Sequence, residues 1–302
     1  MTMTTEQPNP NSTHIDSLST TDIIRTINQE DAKVALAIEQ VIPQITAAVD
    51  MITEAIRNKG RLIYIGAGTS GRLGILDAVE CVPTFSTPPE LVRGIIAGGE
   101  KALVTAVEGA EDYPEHGRRD LIALELTAND IVCGIAASGR TPYVIGALNY
   151  AKSIDAKTIA IACNVPSAIL EIADIAIGVE VGPEVITGST RMKSGTAQKM
   201  VLNMLSTGTM VKLGKVYGNL MVDVKVTNQK LADRARRLVV QVADVDETTA
   251  QNLLEQADNH VKTAIVMHKQ HVTVDVARDL LKQAGGLLGA VIGHQPESKD
   301  IE

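Results

Sequence analysis

The sequence predicts an α/β fold in which helices cover both faces of a parallel sheet. Apolar runs rich in β-branched residues recur through the middle of the chain, and each is followed by a Gly/Ser/Thr turn and then a helical stretch. Strands that are apolar along their whole length are buried on both faces, which is typical of parallel sheets. The runs are Arg61–Ile65, Leu91–Ala97, Asp130–Ile135, Lys157–Ala162 and Asp174–Val179.

Two segments precede the first predicted strand and form a region of residues 1–58. Residues 1–13 are rich in Thr, Asn, Pro and Gln. They offer too little apolar surface to offset the entropy of ordering, so we expect a loose tail. Between Thr20 and Lys59, apolar residues recur every three or four positions, which predicts amphipathic helices with a break near Pro43.

The chain after the predicted sheet is helical in pattern. Met192 to Leu213 is predicted to form one long helix whose apolar side packs in the core. After Asn228 the β-type runs stop, and Asp, Thr and Gly breaks separate helical stretches that predict a small bundle. We therefore expect a sheet domain over 59–225 and a helical bundle over 226–302. The predicted bundle helices are Leu231–Ala243, Glu247–Ala257, Asn259–Lys269 and Val274–Ala284.

Composition narrows the class of ligand and the compartment. The 302 residues include 28 Lys and Arg against 36 Asp and Glu, and only 2% are aromatic. A net charge of -8 leaves no basic surface for a nucleic acid backbone, so we expect a small polar ligand and no nucleic acid partner. No apolar run approaches the roughly 20 residues of a membrane span, so we expect no membrane partner. Three cysteines without a CxxC pair favour a reducing cytoplasm.

Two Gly- and hydroxyl-rich loops follow predicted strands and precede predicted helices. The first, Gly66–Gly71, formally matches GxGxxG, but Gly98 and Gly99 follow the second strand where a dinucleotide site needs an acidic residue. A turn that binds nothing and a dinucleotide site remain alternatives for this loop alone. The second loop, Ala136–Pro142, favours a phosphate monoester, because two such loops at the carboxyl ends of parallel strands can converge on one anion. The candidate phosphate-binding residues are Gly68, Thr69, Ser70, Gly71, Ser138, Gly139 and Thr141.

Four segments resemble the SIS (sugar isomerase) domain and, within it, the N-acetylmuramic acid 6-phosphate etherases. They are Ile65–Gly74, Val107–Asp112, the Ser138 loop and Thr187–Lys199. The resemblance implies an SIS-type αβα sandwich and cleavage of a D-lactyl ether at C3 of the amino sugar. The products would be N-acetylglucosamine 6-phosphate and D-lactate, formed in cell-wall recycling.

The resemblance also implies two functional glutamates, which match Glu80 and Glu111. The sequence departs from the family pattern beside the first of them, because Val79 stands where Ser is expected and Val82 where Pro is expected.

The chemistry of an ether at C3 explains why two carboxyl groups are needed. Once the sugar ring opens, the C1 aldehyde acidifies the C2 proton, so elimination needs a base at C2 and an acid at the C3 oxygen, and water then adds. Glu80 is predicted near a helix end, where the macrodipole favours the protonated acid, which leaves Glu111 as the base. We expect this reaction to require no redox cofactor and no metal. Arg191 and Lys193 could meet substrate charge or form pairs within the protein.

Two alternative functions would use the same phosphate loops. One is a sugar-phosphate-sensing protein like the glucokinase regulatory protein, and the other is an aldose–ketose isomerase. The glutamate pair favours the etherase, because a sensor needs neither Glu80 nor Glu111 and an isomerase needs no acid at C3.

We also expect a homodimer with its pocket near the subunit interface. A straight helix would place Glu80 about 15 Å along its axis from Ser70, too far for one hexose phosphate. Either that helix ends early or Glu80 comes from a neighbouring subunit, as the pairing of SIS domains implies.

Overall fold

The computed structural model describes residues 3–224, 226 and 228–293. Contacts group the chain into two compact units. The first comprises Met1–Glu80 and Pro89–Thr207, so it holds the N-terminal helices together with the sheet. The second comprises Cys81–Pro88 and Gly208–Glu302. Residues 294–302 of the predicted bundle lie outside the described residues.

The first unit contains the parallel sheet, and all the predicted apolar runs form its strands. The strand order is β2-β1-β3-β4-β5, with every neighbouring pair parallel. Gly66 at the end of β1 is level with Ile96 of β2 and Ile135 of β3. The carboxyl ends of these three strands therefore meet at one edge. The strands are β1 (Leu62–Gly66), β2 (Val92–Ile96), β3 (Ile131–Ile135), β4 (Lys157–Ala162) and β5 (Ile175–Gly178).

Helices precede the sheet and connect its strands. The predicted break near Pro43 is confirmed, because α3 begins at Ile42 and Pro43 lies in its first turn, where its missing N–H costs nothing. The predicted long helix is also confirmed as α9, although this helix continues past Thr207 into the second unit. The helices are α1 (Thr20–Asp31), α2 (Lys33–Glu39), α3 (Ile42–Arg57), α4 (Gly68–Phe85), α5 (Lys101–Val104), α6 (Pro114–Ala123), α7 (Pro142–Ser153), α8 (Ala168–Ile172) and α9 (Lys193–Lys212).

Helices pack closely on the sheet because glycines replace side chains at the contacts. A Cβ on Gly94 of β2 would lie 2.5 Å from the Cα of Ile75 in α4. A Cβ on Gly134 of β3 would lie 2.7 Å from Val144 of α7. Since real carbon atoms do not approach so closely, both positions exclude larger residues, and α4 is held tightly against β2 and α7 against β3.

The predicted loose tail is wrong, because residues 3–17 form three short 3-10 turns that dock on the first unit. Thr5, Asn9 and Ser12 are buried. Polar contacts anchor them, including bonds from Asn164 Nδ2 to Thr5 Oγ1 at 3.0 Å and from Ser12 Oγ to the Val185 carbonyl at 2.7 Å. Composition predicted disorder because the segment has little apolar surface to bury. Hydrogen bonds to residues far along the chain order it instead.

The second unit contains a short antiparallel hairpin and a helical bundle. The predicted bundle helices are confirmed as α10 (Gln229–Ala243), α11 (Glu247–Gln256), α12 (Val261–Gln270) and α13 (Val274–Gln283). The sequence did not predict α14 (Leu288–Ile292) or the hairpin strands β6 (Val216–Tyr217) and β7 (Leu220–Met221).

A buried lysine ties together the loops of this second unit. Lys262 Nζ donates to the carbonyl oxygens of Gly214 and Gly286 and pairs with Asp223 at 3.4 Å. Burial opposes ionisation of Asp223, but hydrogen bonding to His260 and the charges of Lys262 and Lys215 lower its pKa well below the usual range.

Among the described residues, no single helix has the length and apolar character needed to cross a membrane. Only the bent pair Thr20–Glu39 and Ile42–Arg57 reaches that length and composition when both parts are taken together.

Candidate functional site

The two candidate phosphate loops lie side by side at the carboxyl edge of the sheet. They leave the neighbouring strands β1 and β3 at the same level and lead into α4 and α7. A Cβ on Gly66 would lie 2.9 Å from Gly71 N and 3.0 Å from the Ile135 oxygen, so the turn requires glycine there. Two helix N-termini are thus adjacent, an arrangement whose backbone N–H groups and dipoles favour an anion.

In the first loop, some candidate donors are occupied within the protein and others are not. Ser70 is buried, and its Oγ donates to Gln198 Oε1 of α9 at 2.9 Å, while the Gly71 N–H donates to the Ala67 carbonyl at 3.2 Å. The N–H groups of Gly68, Thr69 and Ser70 lie in the first turn of α4, where no helical carbonyl accepts them. These three N–H groups and the Thr69 hydroxyl are the donors that this loop can offer an anion.

In the second loop, hydroxyl groups are the main donors available. The Gly139 N–H donates to the Ala136 carbonyl, and the Arg140 N–H donates to Ser138 Oγ. Thr141 is the N-cap of α7, but its side chain makes no capping bond. Ser138 and Thr141 are both half-buried, so their hydroxyls remain able to donate to a ligand at the sheet edge.

Glu111 lies beside both loops. Its carbonyl accepts from Tyr143 N in the first turn of α7 at 3.0 Å, and its exposed side chain belongs to the wall of a cavity of about 310 Å³. Gly68 at the start of α4 lines the same cavity. Arg72 also lines it, although sequence reasoning did not select Arg72 as a site residue. The signal in the sequence that could have identified Arg72 is its position directly after the Gly66–Gly71 loop.

A larger cavity of about 810 Å³ lies along β2. It shares the segment Val107–Ala110 with the smaller cavity but is lined by none of the candidate phosphate residues and by neither Glu80 nor Glu111. We therefore assign the candidate site to the smaller cavity.

Glu80 is exposed on α4, away from the Glu111 cavity lining. The helix runs without interruption from Gly68 to Phe85, which excludes the first of the two alternatives for Glu80, an early helix end. Glu80 also lies more than a turn before Phe85, which is outside the range of the helix dipole, so the dipole argument for a protonated Glu80 is wrong.

One turn before Glu80, a buried polar network holds α4. Asp77 accepts hydrogen bonds from Tyr64 of β1 and from Asn203 and Ser206 of α9. Burial raises the pKa of Asp77, although these three hydrogen bonds oppose the rise. The network fixes α4 against β1 and α9, and with it the position from which Glu80 projects.

Lys193 and Arg191 differ in their surroundings. Lys193 is only 1% exposed, and its Nζ pairs with the buried Glu30 of α1 at 2.7 Å. Lys193 was expected either to meet substrate charge or to pair within the protein, and the structure shows that it pairs within the protein. Burial opposes ionisation of Glu30, but hydrogen bonds from Lys193, Lys33, Asn11 and Asn9 outweigh it and lower the pKa of Glu30 to about 2. Arg191 is exposed, and a contact with substrate remains a prediction for this residue.

The fold and its paired loops define a protein of the SIS class. Residues 44–152 match the glucokinase regulatory protein N-terminal SIS domain, and residues 109–208 match the SIS domain. The phosphoheptose isomerase of Francisella tularensis has a TM-score of 0.52 at 18% identity, covering 64% of this chain and 100% of that structure. The enzyme of the same name from Neisseria gonorrhoeae has a TM-score of 0.50 at 17% identity, covering 63% and 98%. These likenesses establish the fold.

Much more similar relatives define the family. N-acetylmuramic acid 6-phosphate etherase of Pectobacterium atrosepticum is 58% identical over 95% of both chains, and that of Rhodopirellula baltica is 52% identical over 98% of both. That of Rhizobium rhizogenes is 56% identical over 96% of this chain and 94% of its own. The chain belongs to the N-acetylmuramic acid 6-phosphate etherase family, and it is an enzyme.

Proposed function

We propose that this enzyme cleaves the D-lactyl ether of N-acetylmuramic acid 6-phosphate by elimination and then adds water, giving N-acetylglucosamine 6-phosphate and D-lactate. The observation that carries the proposal is the position of Glu111, which lines one cavity together with Gly68 of the first loop and whose backbone carbonyl accepts from Tyr143 N in the helix that follows the second loop. Family membership favours this lyase reaction over the sugar-phosphate sensor and the aldose–ketose isomerase.

The phosphate would bind at the adjacent N-termini of α4 and α7. Donors to it would be the first-turn N–H groups at Gly68–Ser70 and the hydroxyls of Thr69, Ser138 and Thr141. Ser70 would contribute its N–H while its hydroxyl orients toward Gln198. Binding energy at this non-reacting end positions the sugar for reaction at C2 and C3.

Glu111 would act as the base at C2. Glu111 is exposed and lines the cavity, so its carboxyl group can reach a bound ring. The proton it removes is acidified by the C1 aldehyde of the opened sugar. The resulting electron pair forms the C2–C3 double bond as the C3–O bond breaks.

Glu80 would donate the proton to the departing C3 oxygen from a neighbouring subunit. Because α4 is continuous, Glu80 lies about 15 Å along the helix from Ser70 of its own chain. Leu76, one turn before Glu80 on the same helix face, and the adjoining Val79 are 52% and 60% exposed, so exposed apolar side chains lie next to the acid. Such a surface fits contact with a second copy of the chain, as in a homodimer.

We infer a cytoplasmic location from the cysteines. Cys81, Cys133 and Cys163 are all buried and form no disulfide among the described residues. Burial raises the pKa of the Cys163 thiol to about 12, so this thiol remains protonated and unreactive.

Incubation with N-acetylmuramic acid 6-phosphate followed by an assay of released D-lactate tests the proposed reaction. Release is expected with the phosphorylated sugar and a far lower rate with unphosphorylated N-acetylmuramic acid. Equal cleavage of both sugars would contradict phosphate anchoring, and the absence of D-lactate from both would contradict the reaction itself.

A further inference from the structure

Arg72 is the only cationic residue among those lining the Glu111 cavity. It lies in the first turns of α4 and is half-buried. Its Nε donates to the Leu103 carbonyl at 3.0 Å, which fixes one side of the guanidinium. Within the described part of the chain, no carboxylate lies within salt-bridge distance of Arg72, although Glu108 and Glu111 line the same cavity.

The terminal nitrogens of this guanidinium are therefore donors without an anionic partner. An arginine fork matches a carboxylate or a phosphate with two parallel hydrogen bonds. A partly buried cation next to a cavity favours an anionic ligand there, because charge neutralisation is strongest where water is partly excluded.

The substrate in the proposed reaction carries two anionic groups at different distances from Glu111. Its phosphate is at C6, where the adjacent helix N-termini supply N–H groups and hydroxyls. Its lactyl carboxylate is attached through the ether oxygen at C3. C3 is bonded directly to C2, the carbon that Glu111 would deprotonate. A cation that shares a cavity wall with Glu111 is therefore close to the lactyl group.

We propose that Arg72 binds the lactyl carboxylate and thereby distinguishes the substrate from sugar phosphates without that group. This inference rests on the proposed function, because it uses the role of Glu111 at C2. Arg72 would be a specificity-determining residue, holding the carboxylate in a bidentate pair while the C3–O bond breaks.

The test compares two ligands that differ only in the lactyl group, using the full-length protein. Calorimetry gives the Kd of N-acetylglucosamine 6-phosphate, and initial rates of D-lactate release give KM for N-acetylmuramic acid 6-phosphate. Arg72→Gln is expected to raise this KM about 10- to 100-fold, the usual effect of losing a hydrogen-bonded charge partner. The Kd of N-acetylglucosamine 6-phosphate should change by less than about twofold.

Arg72→Lys serves as the second variant, because it keeps the charge but loses the fork, and an intermediate rise in KM is expected. Arg118→Gln is the matched control, since Arg118 is exposed on α6, where it stacks over Tyr150 and lines neither cavity. Equal weakening of both ligands by Arg72→Gln would assign Arg72 to the phosphate and overturn the proposal, and so would an unchanged KM.

Failure of the proposed function is distinguishable from failure of this inference. If wild-type protein releases no D-lactate, the reaction is wrong. The role of Arg72 is then still decided by calorimetry with both sugar phosphates, in which only N-acetylmuramic acid 6-phosphate should respond to Arg72→Gln.

Discussion

At the residue scale, the two glutamates differ in surroundings and so should differ in the step they serve. Glu111→Gln is expected to abolish exchange of the C2 proton with solvent and to lower turnover by about 10²- to 10⁴-fold, the usual contribution of a general base. Glu80→Gln should block D-lactate release while leaving part of the exchange intact. Proton NMR in D₂O and a D-lactate assay measure the two signals.

Glu115→Gln is a suitable control for that comparison, because Glu115 is an exposed carboxyl four residues after Glu111 that lines neither cavity. It should retain both exchange and release. Unchanged turnover in either glutamate variant would remove that residue from the reaction. Identical loss of both signals in both variants would contradict the division of roles.

Residue patterns could not have selected Glu111 from among its acidic neighbours. Glu108, Asp112 and Glu115 have the same character in sequence and are all exposed. Glu111 is distinguished by its backbone carbonyl, which accepts a hydrogen bond from Tyr143 N and so depends on how α7 packs against a distant loop. Only the resemblance to a family identified it in advance. Arg72 was missed for a similar reason, since a cavity wall is formed by segments that are separate in sequence.

At the scale of elements, the strands and long helices follow from sequence because their signals are local. Every predicted strand forms, since continuous β-branched runs bounded by glycine have few other buried arrangements. The hairpin β6–β7 has two residues per strand, too few for a periodic pattern. The docked N-terminal segment was predicted wrongly because its order depends on distant partners such as Asn164.

The link between α1 and α9 should make stability depend on pH. The folded pKa of Glu30 is about 2 against an ordinary value of 4.5, so its stabilising contribution is complete above about pH 4.5. As pH falls from about 4.5 through about 2, folding stability should drop by roughly 2–3 kcal/mol from this group. Urea unfolding between pH 2 and 7 measures the change.

Glu30→Gln should flatten that part of the pH dependence. It should also destabilise the protein at pH 7 by about 3 kcal/mol, because Lys193 would remain buried without its anionic partner. Glu39→Gln on α2 replaces an exposed carboxyl and should give a curve parallel to wild type. A Glu30→Gln curve that keeps the wild-type slope would show that other groups cause the acid sensitivity.

At the scale of the whole molecule, the distance along α4 predicts a site shared between subunits. Mixing Glu80→Gln with Glu111→Gln protein should restore activity, because a hybrid dimer has one pocket with both glutamates intact. With random exchange of equal amounts, about one quarter of wild-type activity is expected, since half of the dimers are hybrids with one working pocket each. D-lactate release after subunit exchange measures the recovery.

Each variant alone serves as the baseline for this mixture, and differently tagged subunits verify the exchange. If exchange is verified and activity stays at baseline, each chain supplies both glutamates to its own pocket. The continuous α4 would then have to bend or move for Glu80 to reach the substrate.

The docked N-terminal segment also determines the order in which the chain can fold as it is synthesised. Thr5 and its partner Asn164 are separated by 159 positions, and Ser12 and its partner Val185 by 173. The segment therefore cannot form these hydrogen bonds until more than half of the chain has been translated. Contacts of such long range form slowly and late. Because Asn164 also donates to the Ala137 carbonyl in the second loop, the surroundings of that loop are complete only after the segment that was synthesised first has docked.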